Sequence, residues 1–293
     1  MKYEIKMNQK QKIIYASTIF AVILILTATL GQVYALYESK TSIINKFKTL
    51  CDAHRTCASY ASLGKTTQGR DIWIFRIGNP NGKAVMWDAQ LHGGEDIGSE
   101  IELLMAKWLL ESNEPTAKSI LSKNYVLFIP VVNVDTWART NINHVNLNRN
   151  FVYKWGTTGS SSRSSSEYMG PYAGSEKETQ VLRNAFKVYH PKFYVNTHMW
   201  GGPRLFYWRE NNATLVSLLK TKITQISSQR GVTPYPTTPL SGGGFAIGDA
   251  GYYYKACAWL LEITGQSTPA YSAIARDYYP KCLPILIAMC QLA

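Results

Sequence analysis

The sequence predicts an α/β protein: a single domain on a twisted, mixed, mostly parallel β-sheet with helices on both faces. Three observations predict it. Short apolar runs alternate with longer amphipathic stretches, as when strands and helices take turns along a chain. Several runs lack polar alternation, as strands buried on both faces do. No linker or internal repeat divides residues 36–293. With 293 residues, 46% of them hydrophobic, the chain can bury a sizeable core without disulfides or metal.

The elements follow in order. Residues 13–30 are an apolar run behind Lys2, Lys6, Lys10 and Lys12, and the small-residue triplet VYA ends at Ala35. The run is long for a secretory signal and slightly short for a spanning helix. Residues 1–35 are therefore expected to be a signal peptide or an uncleaved N-terminal anchor. Either leaves residues 36–293 secreted or extracytoplasmic. Residues 37–50 read as a surface helix with Ile43, Ile44, Phe47 and Leu50 on one face. RDIWIFRIG (70–78) alternates like a strand, and GNPNGK (78–83) reads as a hairpin-type turn into the strand KAVMWDA (83–89). A helix is expected over about 98–111. YVLFIPVVN (125–133), KFYVNTH (192–198) and ACAWLLEIT (256–264) read as further buried strands. SEKETQVLRNAFKVY (175–189) reads as a helix capped by Ser175, with Glu178 three residues on. The serine-rich stretch 156–176 resembles a flexible linker in composition, but its place before a helix start predicts a long structured loop. CLPILIAMCQLA, at the C-terminus, is too short to span a membrane and reads as a buried element.

The five cysteines, Cys51, Cys57, Cys257, Cys282 and Cys290, leave one over from any pairing. Connectivity cannot be read from sequence, and all five could equally be buried small hydrophobes. The net charge of +12 is spread without a dense Lys/Arg run, which argues against nucleic-acid binding. Contact with a membrane is expected only through the N-terminal segment, if it is retained. The chain is expected to act as a monomer.

Polar residues with chemical potential fall where the apolar strands run out. His92 and Glu95 follow AVMWDA, His198 follows KFYVN, and Glu262 ends CAWLLE. In open α/β sheets ligands collect at such ends. Two histidines and a glutamate are a donor set for one zinc ion with a position left open. Gly93 and Gly94 would permit a tight bend between the first two ligands. Alone, His92 reads as a turn histidine and His198 as a satisfied strand-end histidine; together, with Glu262 present, they read as a site. Burial would raise the pKa of Glu262 and suit it to general-base work. Arg139 could hold a developing oxyanion, and Arg149 could form a bidentate pair with a carboxylate.

With these residues in place, the chain resembles the zinc carboxypeptidases of the carboxypeptidase A type. The resemblance runs through LGKTTQGRDIWIFRIG, HGGE, NVDTWARTN, VNLNRNF, WGTTGSSSRSSSEYMGPYAGSEKET, NTHMWGG and LLEIT, in the family's order. It implies a carboxypeptidase-like fold and zinc on His92, Glu95 and His198. It makes Glu262 the general base and then acid, Arg139 the carbonyl-polarising arginine, and Asn148 and Arg149 the clamp for a substrate's C-terminal carboxylate. It implies an exopeptidase acting on peptides or proteins with a free C-terminus. Departures are Asn146 where the family has aspartate, and Gly94 where some members carry a substrate-contacting arginine. The candidate for the family's mobile tyrosine is Tyr235. The residue at the bottom of the specificity pocket falls within FAIGD, with Ile247 as its candidate; Asp249 keeps a basic preference open. A related zinc peptidase of cell-wall peptides, and an inactive carboxypeptidase-like binding protein, are the alternatives.

Overall fold

The four apolar runs that read as buried strands lie side by side at the centre of one eight-stranded sheet. The computed structural model describes residues 38–265 and 268–293. The expected signal or anchor, residues 1–35, lies outside the described residues. No described helix is long and apolar enough to cross a membrane.

The strands are β1 (Ala58–Lys65), β2 (Asp71–Gly78), β3 (Lys83–Asp88), β4 (Asn124–Ile129), β5 (Phe193–His198), β6 (Arg204–Trp208), β7 (Thr237–Leu240) and β8 (Cys257–Glu262). Their order is β1-β2-β4-β3-β5-β8-β6-β7. The central four, β4, β3, β5 and β8, are mutually parallel; β1, β2 and the β8–β6 pair run antiparallel, and β6–β7 is parallel. The sheet is thus mixed and mostly parallel, as the sequence predicts.

The helices are α1 (Lys40–Ala53), α2 (Ile97–Glu111), α3 (Pro115–Lys123), α4 (Lys177–Tyr189), α5 (Ala213–Gln229), α6 (Ala246–Tyr252) and α7 (Tyr279–Leu292). Strand alternation sorts the core into two layers. Ile72 and Ile74 of β2, Met86 of β3, Leu127 of β4, Tyr194 of β5 and Leu260 of β8 meet Leu182 and Phe186 of α4 and Ile247 of α6. On the opposite face Phe47 of α1 stacks on Phe75 of β2, with ring centroids 4.6 Å apart, and reaches Phe128 of β4. The C-terminal run forms α7, buried from Cys282 to Cys290.

Two local expectations are corrected, and the cysteine question is answered. GNPNGK does turn, with the Gly82 amide bonded to the Asn79 carbonyl, but it is no hairpin. β4 lies between β2 and β3, so the turn is a crossover. Ser175 does not cap α4; Glu176 holds the N-cap position, and the Ser175 hydroxyl donates to the Glu176 carboxylate instead. All five cysteines are free thiols, four of them buried.

Candidate metal centre

The parallel strands β3, β4, β5 and β8 share a direction, so their C-terminal ends open on one edge of the sheet. His198 ends β5 and Glu262 ends β8, and the two are paired neighbours. His92 and Glu95 lie on the turn after β3, which leads into α2. Arg139 lies on the loop after β4. The chain after that loop carries Asn148 and Arg149 on a single 3₁₀ turn, Leu147–Arg149. One cavity of about 200 Å³ is lined by His92, Glu95, Arg139, Asn148, Arg149, His198 and Glu262, with Phe206, Leu240, Phe245 and Leu260 as its apolar wall. A larger hollow of about 700 Å³ lies against α1 and α2, but it gathers no comparable set of side chains.

The loop carrying Arg139 is held from three sides. Thr66 donates from its hydroxyl and Gln68 from its amide to Asp135. Lys40 of α1 donates to the carbonyls of Asn133 and Thr136. The Gly93 amide donates to the Ala138 carbonyl at 2.8 Å. Here the two glycines act differently from the expected bend, since neither has a positive φ. A side chain at Gly93 would collide with the Thr136 carbonyl, and one at Gly94 would lie 2.9 Å from that of Trp137. The glycines let the loop lie directly against the turn bearing His92 and Glu95.

The ligand atoms of His92, Glu95 and His198 lie within 4.8 Å of one another, and all three residues are buried. Side-chain amides hold the outer nitrogen of each imidazole. Asn146 donates from its side-chain nitrogen to the Ser166 carbonyl and accepts from the Asn148 amide, so its Oδ1 faces His92 Nε2 at 3.0 Å. Asn196 donates to Asp88, so its Oδ1 faces His198 Nε2 at 2.6 Å. Each Nδ1 faces Glu95, at 2.8 Å from His92 and 2.7 Å from His198. Two imidazole nitrogens and a carboxylate thus converge on one point, and together they are a zinc donor set. Burial pushes the Glu95 carboxyl up, but His92 and His198 outweigh it and hold it well below the usual carboxylate range.

Glu262 accepts the Gly201 amide at 2.9 Å. Burial raises its carboxyl above the ordinary value, reinforced by the negative charge of Glu95 and only partly opposed by His198. Arg139 points Nη1 toward Glu95, 3.8 Å from Oε1. Arg149 donates from Nη1 to the Asn148 carbonyl at 2.8 Å and lies over the Phe245 ring. The Asn148 side chain spends its oxygen on the Ala246 amide and sets its nitrogen 3.1 Å from His198 Nε2.

Two expected residues are not in this cavity. Tyr235 is buried and donates its hydroxyl to the Ile263 carbonyl beside Cys282. Ile247 is fully buried in α6, facing the core, while Phe245, two residues earlier, lines the cavity. Asp249 is engaged by the Tyr153 amide and by Arg183 Nε, at 2.6 and 2.5 Å, so it offers no charge to a substrate. Glu167, absent from the sequence-level candidates, bonds both Arg139 and Arg149. A signal for it existed: Glu167 is the one acidic residue between Gly156 and Gly174.

The family model described as zinc carboxypeptidase matches residues 43–235. Carboxypeptidase B of dog (Canis lupus familiaris) is 26% identical over 90% of this chain and 71% of its own length. Carboxypeptidase B of Homo sapiens is 26% identical over 73% of this chain, and the match spans only 60% of the human protein. Among solved structures, carboxypeptidase A of Helicoverpa armigera superposes with a TM-score of 0.73 at 19% identity, covering 87% of this chain and 74% of that one.

Proposed function

The chain belongs to the zinc carboxypeptidase family, and from that premise we propose that its site removes the C-terminal residue of peptides or proteins. The observation that carries the reading is the joint presence, in one cavity, of the His92, Glu95 and His198 donor set, a buried carboxylate at Glu262 and two arginines. His92, Glu95 and His198 hold one zinc ion. Zinc bound there supplies Lewis-acid chemistry, polarising a carbonyl and bringing a water's pKa toward neutrality.

The protein's own groups divide the remaining work. Arg149 takes the substrate's terminal carboxylate, with Asn148 framing it. Arg139 donates to the oxygen of the last peptide carbonyl as it becomes negative. Glu262 accepts a proton from the water that attacks the carbonyl carbon. As the C–N bond breaks, Glu262 passes that proton to the leaving amine. The apolar wall of Phe206, Leu240, Phe245 and Leu260 faces the departing side chain and favours an apolar one. Asp249, held by Arg183 and the Tyr153 amide, gives no support to a basic preference. The protein works as an exported monomer, with residues 1–35 as signal or anchor.

The test is a panel of peptides that differ only at the C-terminal residue, each in free-acid and amidated form, with zinc content measured alongside. Cell-wall peptides ending in a carboxylate are included. Release of a single C-terminal residue from the free acids, lost in Glu262→Gln, is expected. Equal cleavage of amidated peptides, or activity in protein stripped of metal, would overturn the reading. Cleavage confined to the cell-wall peptides would redirect it to that substrate class.

A further inference from the structure

Resting on the exopeptidase reading above, we infer that Glu167 is a positioning residue: a single carboxylate that sets both active-site arginines. Its Oε1 accepts from Arg139 Nε at 2.9 Å and Nη2 at 2.8 Å. Its Oε2 accepts from Arg149 Nη2 at 2.7 Å. Three donors of two guanidinium groups thus converge on one carboxylate. Charge-assisted bonds of this kind fix a guanidinium plane more firmly than neutral ones.

What this leaves over is directional. Arg139 binds Glu167 through its Nε and Nη2 side and turns the remaining nitrogen, Nη1, toward Glu95 and the metal centre. Arg149 keeps a buried Nε with no hydrogen-bond partner. Its other side is held by the Asn148 carbonyl. Glu167 therefore leaves Arg139 Nη1 turned to the metal centre and holds Arg149 between its own carboxylate and the Asn148 carbonyl. It also places a negative charge between two cations that would otherwise repel each other across the cavity.

The serine-rich loop is built to present this one side chain. The Ser160 amide donates to the Glu167 carbonyl at 2.8 Å, and the Glu167 amide donates to Ser165 Oγ at 3.1 Å. Ser160 and Tyr168 close a bridge across the loop. Gly159 takes φ +106°, and a Cβ there would lie 2.9 Å from the Glu167 carbonyl and 3.2 Å from Arg149 Cδ. The loop backbone thus lies directly on the Arg149 stem. The Asn146 side chain, which orients His92, is anchored to the same loop through the Ser166 carbonyl.

Glu167 touches neither the ligand cluster nor the space where substrate reacts, so its effect reaches the reaction through the arginines. Both should lose function together when it is removed: Arg149 in binding the terminal carboxylate, Arg139 in the chemical step. We would measure kcat and KM on a free-acid peptide for the wild type, E167Q and E167D, together with Tm and zinc content. For E167Q we expect KM to rise about 10-fold and kcat to fall about 10-fold, from the loss of charge-assisted bonds at each arginine, with zinc content unchanged. E167D, which keeps the charge one methylene short, should recover part of both. An E167Q enzyme with wild-type kcat and KM would overturn the inference. So would one with a lower KM, which would make Glu167 a competitor for the clamp. If E167Q does not fold, E167D decides: wild-type values there would overturn the inference equally. A wild-type enzyme inactive on every free-acid peptide would instead remove the exopeptidase reading itself.

Discussion

Glu262 must be ionised to accept a proton, and its surroundings oppose that. Burial raises its carboxyl first, and the negative Glu95 adds to the rise; His198, the Gly201 amide and Arg139 pull it back only in part. Below its pKa the carboxyl is already protonated, so kcat/KM must fall as pH drops. The acid limb of the pH profile should lie above the ordinary glutamate value of about 4.3. Glu262→Gln should lower kcat by about 10²- to 10⁴-fold and remove that limb; a limb that persists unchanged would assign it elsewhere. A second prediction concerns Asn146, which turns His92 through its Oδ1. Asn146→Ala should weaken zinc binding by about 10- to 100-fold, since such partners fix ligand orientation. Competition with a chelator measures it. These residues differ in how legible they are. His92, Glu95, His198 and Glu262 stand where apolar strands end, so sequence alone marks them. Glu167 and Asn196 act through contacts made by folding: the lone acid of a serine-rich loop marks Glu167 without naming its arginine partners, and Asn196 carries no mark at all.

At the level of elements, the same contrast holds. The parallel strands β3, β4, β5 and β8 are continuous apolar runs and read directly from sequence. β6 is five residues whose burial does not alternate, and β7 carries Pro239, so neither shows a strand's period. α6 is a glycine-interrupted seven-residue helix, so its sequence does not show which side faces the cavity: Phe245 lines it and Ile247 lies in the core. α5 did carry a readable signal, with Asn212 capping it and Val216, Leu219, Ile223 and Ile226 along its buried face. One contact between elements yields a prediction. Lys40, in the first turn of α1, reaches the loop that carries Arg139 and donates to two of its carbonyls. Burial lowers its pKa to about 8, yet it stays mostly charged at neutral pH. Lys40→Met leaves both carbonyls without that donor and should cost about 1–3 kcal/mol. It should also lower kcat, because the loop holding Arg139 loosens. Thermal melting and kcat on the same preparation test both. A lower Tm with unchanged kcat would confine Lys40 to stability.

Over the whole molecule, the parallel sheet gathers chemistry at one end and leaves a buried acidic pair behind it. Asp88 ends β3 and is bonded by Asn196, the residue that orients His198. Burial raises Asp88 to about 7. Glu102 of α2 is fully buried, and neither of its carboxylate oxygens meets a hydrogen-bond partner. Burial raises it well above the ordinary value, and Asp88 adds to the rise. The folded state therefore holds the Glu102 proton more tightly than the unfolded chain does. Its contribution to stability is fully present below the unfolded value of about 4.3 and is lost as pH rises toward the folded one. At pH 8 the fold must either keep a proton there against the solution or bury a bare charge. Glu102→Gln removes the charge while keeping the shape. It should raise Tm at pH 8, by the equivalent of about 1–3 kcal/mol, and raise it less at pH 5. Comparing variant with wild type at each pH, both with zinc saturating, cancels the contributions that the two proteins share. A Tm difference that is the same at both pH values would mean that Glu102 is not the group whose protonation the fold depends on.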